Sequence, residues 1–230
     1  MIDPFIVIIP SAGLGSRFGS TTPKQYQKIN GKLIIDFSLE FFLSFSECKK
    51  IVLAISDLGN FSQIIKEDSR IEIISGGISR AESVKKSFDH ILLKSDQENI
   101  LIHDAVRPCL DKSQFVDFME IFSSSQSTGM IYANPCTDTL KSSTDGESID
   151  STVDRSNLWE AQTPQIFKND KLKTAYDLYL KDLNHITDES SLFDQLDEDI
   201  RLFMSSSDNI KITRKEDLQL AEYIIDNIKN

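Results

Sequence analysis

Short apolar segments recur along the chain and alternate with amphipathic stretches. They lie at 5–9, 51–55, 71–74, 100–103 and 128–133. Such runs, rich in Ile and Val, are typical of strands in a parallel sheet that is covered on both faces. The segment from Arg80 to Leu93 carries apolar residues at helical spacing, which predicts a helix with Arg80 and Ser83 in its first turn. The pattern therefore predicts an α/β fold with a mainly parallel sheet.

The alternation continues after residue 168. A helix is predicted from about Asn169, a strand at 200–204 and a final helix near the C terminus. Thr213 and Glu216 have the spacing of a capping box, in which the two residues satisfy each other's backbone amides, so we expect the last helix to be capped there. The length of 230 residues suits one α/β domain that covers 1–230.

The segment from Thr137 to Trp159 interrupts this rhythm. Its stretches DTLKS and SIDSTVD flank the turn-rich STDGE, with no long apolar run on either side. We predict a projecting two-stranded β-arm at about 137–158. Because a hairpin with little apolar surface is marginally stable alone, we expect it to pack on a partner subunit. A solvated surface excursion is the alternative.

Charge and cysteine content narrow the possible functions. The chain has 25 Lys plus Arg against 36 Asp plus Glu, a net charge of -11, which argues against binding to nucleic acid or an anionic membrane. A small anionic substrate remains possible where cations are clustered. Cys48, Cys109 and Cys136 lack the spacing of a disulfide framework or a zinc site. With no signal-like or membrane-length apolar segment, we expect a cytoplasmic protein.

The first predicted strand runs into a glycine-rich loop, PSAGLGSRFGSTTPKQY, at 10–26. Its glycine spacing, G-x-G-x-x-x-G, is one residue too long for a dinucleotide fingerprint, and Pro23 opposes an immediate helix. The Walker A pattern is absent as well, so an oxidoreductase and a P-loop protein are both disfavoured. The loop amides, with Arg17 and Lys24, are suited to an anion. A plain structural turn is the alternative.

Seven motifs follow one another along the chain. They are the glycine loop, GGISRAESV, HDAVRP, DTLK, TVDRSNLWEAQTPQIF, ITDESS and DNIKIT. In this order they resemble the 2-C-methyl-D-erythritol 4-phosphate cytidylyltransferase family, over almost the whole chain. The resemblance implies a Rossmann-like nucleotidyltransferase core and a homodimer that exchanges arms. It also implies a reaction of isoprenoid biosynthesis in which CTP and methylerythritol phosphate give 4-diphosphocytidyl-2-C-methyl-D-erythritol and pyrophosphate, with Mg2+.

The resemblance further implies roles for individual residues. The catalytic cations are Arg17, Lys24 and Lys211. The CTP contacts are Ser11, Ala12, Gly13, Gly15, Gly77 and Ser83. The sugar-phosphate contacts are Asp104, Arg107, Thr139, Arg155 and Thr163, of which Thr139 and Arg155 come from the partner's arm. The Mg2+ ligands are Asp104 and Asp208.

These residue types suit the chemistry. A phosphate monoester has a second pKa of about 6 and is mostly dianionic at neutral pH, so the attacking group needs no general base and the three histidines need no catalytic role. The difficulty is that a dianion must approach a triphosphate. Positioned cations and a metal are therefore the expected catalysts. Asp104 follows a predicted strand at its carboxyl end, where open α/β sheets place ligand sites.

Two departures from the family pattern leave alternatives open. Ile78 follows the double glycine where some relatives carry an acid, which removes any base contact of that carboxylate. Val106 of HDAVRP also occurs in ribitol 5-phosphate cytidylyltransferases, the main enzymatic alternative. A non-catalytic nucleotide-binding regulatory protein is the alternative from another class. The joint presence of the predicted substrate-binding and catalytic residues argues against it.

Overall fold

The structure of the protein is a computed structural model that describes residues 1–13, 18, 22–56, 68–95, 97–179, 183 and 185–227. Eleven strands form within these ranges: β1 Phe5–Ser11, β2 Lys28–Ile29, β3 Lys32–Leu33, β4 Cys48–Ile55, β5 Ile71–Ser75, β6 Asn99–Ile102, β7 Gly129–Pro135, β8 Leu140–Ser142, β9 Ser151–Val153, β10 Trp159–Phe167 and β11 Ile200–Met204. Seven of them build one central sheet, while β2 pairs with β3 and β8 with β9.

The central sheet has the order β11-β7-β10-β6-β1-β4-β5. Val7 of β1 pairs in parallel with Ile51 of β4 on one side and with Leu101 of β6 on the other. β10 runs antiparallel to both of its neighbours, β6 and β7. The carboxyl ends of β1, β6 and β7 therefore share one edge of the sheet with the amino end of β10. Open α/β sheets bind ligands at this edge.

Helices cover the sheet. The described residues contain α1 Ile34–Leu43, α2 Arg80–Leu92, α3 Lys112–Ser124, α4 Asn169–Leu178, α5 Asp217–Asn227 and two 3₁₀ helices, Lys24–Tyr26 and Glu189–Phe193. Ser79 caps α2, because its side chain accepts from the N–H of Glu82, and Asp111 caps α3 in the same way. None of the helices in the described ranges has the length and apolar character needed to cross a bilayer.

β1 illustrates why the sheet is covered twice. Phe5, Val7 and Ile9 belong to one apolar cluster, together with side chains of α1 and α3, and Ile6 and Ile8 belong to a second one with side chains of α2 and α4. Successive side chains of a strand point to opposite faces, so a strand in which every residue is apolar needs cover on both. The prediction of a mainly parallel, doubly covered α/β sheet is confirmed.

β10 is a central strand that the sequence reading did not predict. Its first three residues are exposed, and Pro164 lies within it; a proline ordinarily argues against a central strand. The pairing with β7 shifts register between Ala161 and Gln165, which leaves Pro164 outside the ladder. The residues from Gln165 to Phe167 then pair on both sides, with β6 and β7.

The last helix begins later than predicted. α5 starts at Asp217, whose Oδ2 accepts hydrogen bonds from the N–H and hydroxyl of Thr213 and from the N–H of Arg214. The prediction of a capping box formed by Thr213 and Glu216 is therefore wrong. A carboxylate is a stronger acceptor than a hydroxyl, so the Thr213 hydroxyl donates to Asp217 instead of acting as the acceptor that a capping box requires.

β8 and β9 pair in the segment for which an arm is predicted. Leu140 lies opposite Val153, and Ser142 opposite Ser151, in an antiparallel register. All residues from 143 to 160 are exposed. This part of the hairpin therefore adds no buried side chain to the core of its own chain.

Candidate active site

A cavity of about 330 Å³ lies at the carboxyl edge of the sheet, beyond the ends of β1 and β6 and beside the first turn of α2. Its walls are Pro10, Ser11, Ala12, Gly13, Lys24, Gln25, Arg80, Ser83, Asp104, Ala105, Val106, Lys211 and Thr213. Seven residues with a predicted role meet on these walls: Ser11, Ala12, Gly13, Lys24, Ser83, Asp104 and Lys211.

Asp104 provides the only carboxylate on these walls within the described part of the chain, and three cations surround it. Arg80 Nε donates to Oδ1 at 3.1 Å. Lys211 Nζ lies 2.7 Å from Oδ2, and Arg107 Nε lies 3.6 Å from the same oxygen. The backbone N–H of Asp104 donates to Thr163 Oγ1 at 3.0 Å. Because a buried charge is costly unless it is paired, this set of partners is what allows Asp104 to stay only 7% exposed.

The same surroundings keep Asp104 ionised and His103 neutral. Burial acts to raise the pKa of Asp104, but Arg80, Lys211 and Arg107 outweigh burial and hold that pKa well below its usual range. Burial lowers the pKa of His103 to about 4. The uncharged imidazole shares hydrogen bonds with Thr163 Oγ1 and the carbonyl of Arg107. It therefore joins the loop that follows β6 to strand β10, in agreement with a structural function.

Two lysines from distant parts of the chain meet on the cavity wall. Lys24 Nζ donates to the carbonyl of Ile212 at 3.0 Å. Ile212 is fully buried, and its N–H donates to the carbonyl of Val106 at 2.9 Å. These bonds fix the C-terminal segment beside the loop that carries Asp104. Lys211 precedes the anchored residue, so its ammonium group is held within reach of that carboxylate.

Gln25 holds the backbone where the chain leaves β1. Its side chain is buried, and Nε2 donates to the carbonyls of Ser11 and Gly13 at 2.7 and 3.1 Å. Both residues line the cavity. The predicted nucleotide-binding backbone therefore has a fixed conformation at its start.

Gly76 and Gly77 are needed for close packing. A Cβ on Gly76 would lie 2.5 Å from Cβ of Ala12, and one on Gly77 would lie 2.5 Å from Cβ of Glu82. The N–H of Gly77 donates to Ser83 Oγ at 3.0 Å. Since neither position leaves room for a side chain, the double glycine allows the backbone to lie against the cavity wall beside Ser83.

A second, larger cavity of about 780 Å³ shares Lys211 and also borders Arg107. Arg107 Nη1 donates to the carbonyl of Asn209 at 2.7 Å. Asn209 Nδ2 in turn donates to Gln162 Oε1 at 2.8 Å and to the carbonyl of Thr163 at 2.9 Å. This amide network ties the C-terminal segment to the amino half of β10. Lys211 therefore lies on the walls of both cavities.

Other predicted residues lie elsewhere. Asp208 is exposed and lines a third cavity with Asp111 and Tyr223, so the two predicted Mg2+ ligands are not brought together. The physical reason is that the neighbouring Asn209 is turned inward and buried, which leaves Asp208 on the outside. Arg17 and Gly15 lie outside the described residues.

Thr139 and Arg155 lie at the hairpin and line neither cavity of the site. Both are exposed. Arg155 Nη1 donates to the carbonyl of Cys136 at 3.1 Å, across the base of the hairpin. Within one chain the structure does not bring these two residues to Asp104.

Four side chains of the site were not predicted: Arg80, Glu189, Gln25 and Asn209. Arg80 and Glu189 are 109 positions apart and form an ion pair, and spacing alone gives no means of pairing them. A usable signal was present, because GGISRAESV and ITDESS each contain charged residues that had no assignment. Gln25 and Asn209 directly follow the assigned residues Lys24 and Asp208. Both are buried, and their side-chain amides donate to backbone carbonyls of the site.

The site is suited to a cation that arrives with its substrate. No group of three or more His, Cys, Asp or Glu that could hold a metal occurs in the described ranges. Mg2+ is commonly bound by one or two carboxylates together with substrate phosphates, and it keeps several waters. Asp104, as a single carboxylate in a cavity that suits phosphates, fits that mode. A cage made only of protein ligands does not fit.

Lysines and arginines converge here on one carboxylate, beside glycine backbone, at the carboxyl edge of a Rossmann-like sheet. This combination defines an α/β protein of the nucleotidyltransferase class. The family model of 2-C-methyl-D-erythritol 4-phosphate cytidylyltransferase matches residues 5–227, and the chain belongs to this family.

Relatives and solved structures of the same description match over almost the full length. The chain is 37% identical over 225 residues to 2-C-methyl-D-erythritol 4-phosphate cytidylyltransferase of Haemophilus influenzae, with 98% of each chain covered. Its identity to the Actinobacillus pleuropneumoniae protein of that name is 41% over 228 residues, covering 98% of this chain and 97% of the other. The crystal structure from Francisella tularensis is similar with a TM-score of 0.85 and 32% identity, covering 96% of this chain and all of that one. The resemblance predicted from the motifs is confirmed.

Proposed function

We propose that this chain transfers the cytidylyl group of CTP to 2-C-methyl-D-erythritol 4-phosphate, forming 4-diphosphocytidyl-2-C-methyl-D-erythritol and pyrophosphate in isoprenoid biosynthesis. Membership of the family supports the reaction. One observation supports the location of the reaction, because Lys24, Lys211 and Asp104 line the same cavity. The description shared by the relatives favours methylerythritol phosphate over ribitol 5-phosphate as the acceptor.

The first cavity takes the nucleotide. The backbone at Ser11, Ala12 and Gly13, held by Gln25, would face CTP from one side, and Gly77 with Ser83 would face it from the other. Lys24 and Lys211 provide positive charge where the triphosphate and the departing pyrophosphate gather negative charge. Arg17 and Gly15 belong to the same proposal from the sequence.

The second cavity takes the sugar phosphate. Arg107 lines this cavity together with Lys211. Thr163 is assigned to the same substrate from its motif, and its carbonyl accepts from Nδ2 of Asn209, whose own backbone carbonyl accepts from Arg107. A guanidinium offers planar, paired donors that match a phosphate. The acceptor phosphate is itself the nucleophile and is largely dianionic at neutral pH, so the reaction needs no base, and neutral His103 is compatible with it. Lys211, on the wall of both cavities, would hold the attacking and the attacked phosphate close together.

Asp104 would hold Mg2+ together with the phosphates of CTP. The ion would supply positive charge to the phosphate oxygens. Asp104 keeps its carboxylate ionised for this purpose through the cations around it. Asp104→Asn should raise the Mg2+ concentration that half-saturates pyrophosphate release. An unchanged Mg2+ titration contradicts this ligand assignment.

We further propose that the chain acts as a homodimer, as one domain over 1–230, with the hairpin as an exchanged arm. Thr139 and Arg155 are exposed and line neither cavity of their own chain, which supports a role for them in another subunit's site. The three cysteines are free thiols, which suits the cytoplasm.

The test is pyrophosphate release from CTP and Mg2+, with methylerythritol phosphate or ribitol 5-phosphate offered separately. We expect release with methylerythritol phosphate. Release with ribitol 5-phosphate alone would reassign the acceptor, and no release with either would contradict the proposed function.

Lys211→Ala tests the location of the site. Loss of one such contact should lower kcat by about a hundredfold. Lys215→Ala, an exposed lysine of the same segment, is the matched control and should keep normal turnover. Near-normal turnover of folded Lys211→Ala would place the chemistry elsewhere.

A further inference from the structure

Behind the nucleotide cavity lies a carboxylate with no exposed surface. Glu189 begins the 3₁₀ helix Glu189–Phe193 and is 0% exposed. Its Oε1 accepts from Arg80 Nη1 at 2.9 Å, and Oε2 lies 2.9 Å from Arg80 Nη2. Glu189 does not line the cavity. Any influence on the substrate must therefore pass through Arg80.

The segment that carries Glu189 is fixed to the sheet. Asp188 Oδ1 accepts from the N–H of Ser191, which caps the 3₁₀ helix, and Oδ2 accepts from Gln165 Nε2 of β10 at 2.8 Å. Asp188 thus joins the helix to a central strand. Glu189 is therefore held in a fixed position relative to the sheet, as a positioning group requires.

Arg80 divides its guanidinium between two carboxylates. Nε donates to Asp104 Oδ1, while Nη1 and Nη2 face Glu189. All three nitrogens thus have a carboxylate oxygen within 3.1 Å. The planar guanidinium donates in a fixed fork, so these contacts set the orientation of Asp104. Its Oδ2 is left to Lys211 at 2.7 Å.

We propose that Glu189 and Arg80 form a positioning pair for the nucleotidyl transfer, an inference that rests on the proposed function. Arg80 lines the CTP cavity, but Glu189 keeps its guanidinium turned away from the phosphates and against Asp104. Arg80 therefore acts as a strut that orients Asp104 and not as a phosphate clamp. Glu189 prevents the enzyme from holding its product pyrophosphate too tightly.

This assignment follows from the charges on the cavity wall. Lys24, Lys211 and Arg80 would all attract a triphosphate, and they would equally attract the pyrophosphate that must leave. Two carboxylates beside Arg80 neutralise its contribution. Without the charge of Glu189, Arg80 would gain a net attraction for phosphates and lose its orientation.

Glu189→Gln keeps the size of the side chain and removes its charge. We expect pyrophosphate to bind about tenfold more tightly and kcat to fall about tenfold, as for other groups that orient a ligand through a partner. Pyrophosphate binding is measured by calorimetry on the folded enzyme, apart from turnover. A merely structural residue would lower stability without tightening pyrophosphate binding.

The double variant Arg80→Gln with Glu189→Gln removes both charges and leaves no buried carboxylate unpaired. It should therefore fold even if the single variant Glu189→Gln does not. We expect pyrophosphate affinity near that of the unaltered enzyme, with kcat still low because Asp104 has lost its strut. Glu198→Gln is the matched control. Glu198 pairs with Lys171 and precedes the amino end of β11, so both readouts should stay unchanged.

Unchanged pyrophosphate affinity and kcat in Glu189→Gln would overturn the inference, as would normal kcat in the double variant. Weaker pyrophosphate binding in Glu189→Gln would overturn it too. Activity of the unaltered enzyme distinguishes a failure of this inference from a failure of the proposed function. If the unaltered enzyme releases pyrophosphate with methylerythritol phosphate, the proposed function stands, and these outcomes contradict only the positioning pair.

Discussion

The cavity around Asp104 and the hairpin around β8 and β9 are opposite kinds of structure. In the cavity the charged side chains are buried or half-buried, and their hydrogen-bond and ion-pair partners come from several elements. In the hairpin the residues from 143 to 160 are all exposed, and their hydrogen bonds are mostly local, such as those of Asp145 with Ser143, Glu147 and Ser148. The described walls of the cavity all come from one chain, whereas the hairpin lacks a packing surface within its own chain.

This difference separates two ways in which a residue can belong to a site. Asp104 is held by burial and by Arg80, Arg107 and Lys211, so substitutions there alter both stability and chemistry. The exposed side chain of Arg155 donates to the carbonyl of Cys136, so its substitution should leave the fold intact. Functional loss without loss of stability is the signature expected of an arm.

The largest expected effect is on stability, for Asp104→Asn. Breaking a buried charge network by removing one partner costs roughly 3–5 kcal/mol, so the free energy of unfolding at neutral pH should fall by that order. Denaturant unfolding with circular dichroism measures it. A variant as stable as the unaltered chain would show that the surrounding cations do not depend on this carboxylate.

The free energy of unfolding at acid pH tests the same charge network. The folded pKa of Asp104 is depressed by its cations, so its stabilisation is complete above the unfolded pKa of about 3.9 and is lost as the pH falls below it towards the folded value. Between pH 6 and 3 the unaltered chain should therefore lose more stability than Asp104→Asn. Parallel curves for the two proteins would contradict the depressed pKa.

Arg155→Ala is expected to act on binding and not on folding. Loss of a charged contact to phosphate should raise the KM for the sugar phosphate about tenfold or more and leave that for CTP nearly unchanged. Steady-state kinetics with each substrate varied measures this split. Lys141→Ala, which removes an exposed cation from the same hairpin, is the control and should leave both KM values in place.

Mixed dimers test where Arg155 acts. A dimer of one Arg155→Ala subunit and one Lys24→Ala subunit contains one site with neither change, if the arm completes the partner's cavity. Partial activity should therefore return on subunit exchange. If no activity returns although subunit exchange is verified, Arg155 acts in the site of its own chain or outside the site.

The sequence predicts the structure where a local pattern determines it. The run at 5–9 forms the centre of the sheet, because continuous apolar residues have to be buried on both faces. The run at 200–204 forms a strand with those bounds, although it lies at the sheet edge with Leu202 and Met204 exposed. The sequence does not predict elements that distant partners position. β10 takes its place by pairing with β6 and β7, and neither its composition nor Pro164 indicates this.

The candidate site divides in the same way. The motifs identified Lys24, Asp104 and Lys211, which the structure brings to one cavity, because a family pattern records chemistry directly. They did not identify Arg80 or Glu189, whose ion pair depends on the fold. Asp208 was assigned from its motif alone, and the inward turn of its neighbour Asn209 carries it away from the other predicted ligand.

The smallest effect is expected at the tip of the hairpin, for Gly146→Ala. Gly146 has a φ of +74°, and no atom lies within 4 Å of a Cβ placed there, so the change strains the backbone without a clash. In a residue coupled to the core this would cost about 1 kcal/mol. Because the hairpin adds nothing to the core, the free energy of global unfolding should change by less than about 0.5 kcal/mol. Amide hydrogen exchange should instead show faster opening confined to residues 140–153. A global loss near the full strain energy would mean that the hairpin unfolds together with the sheet, and the contrast between cavity and hairpin would not hold.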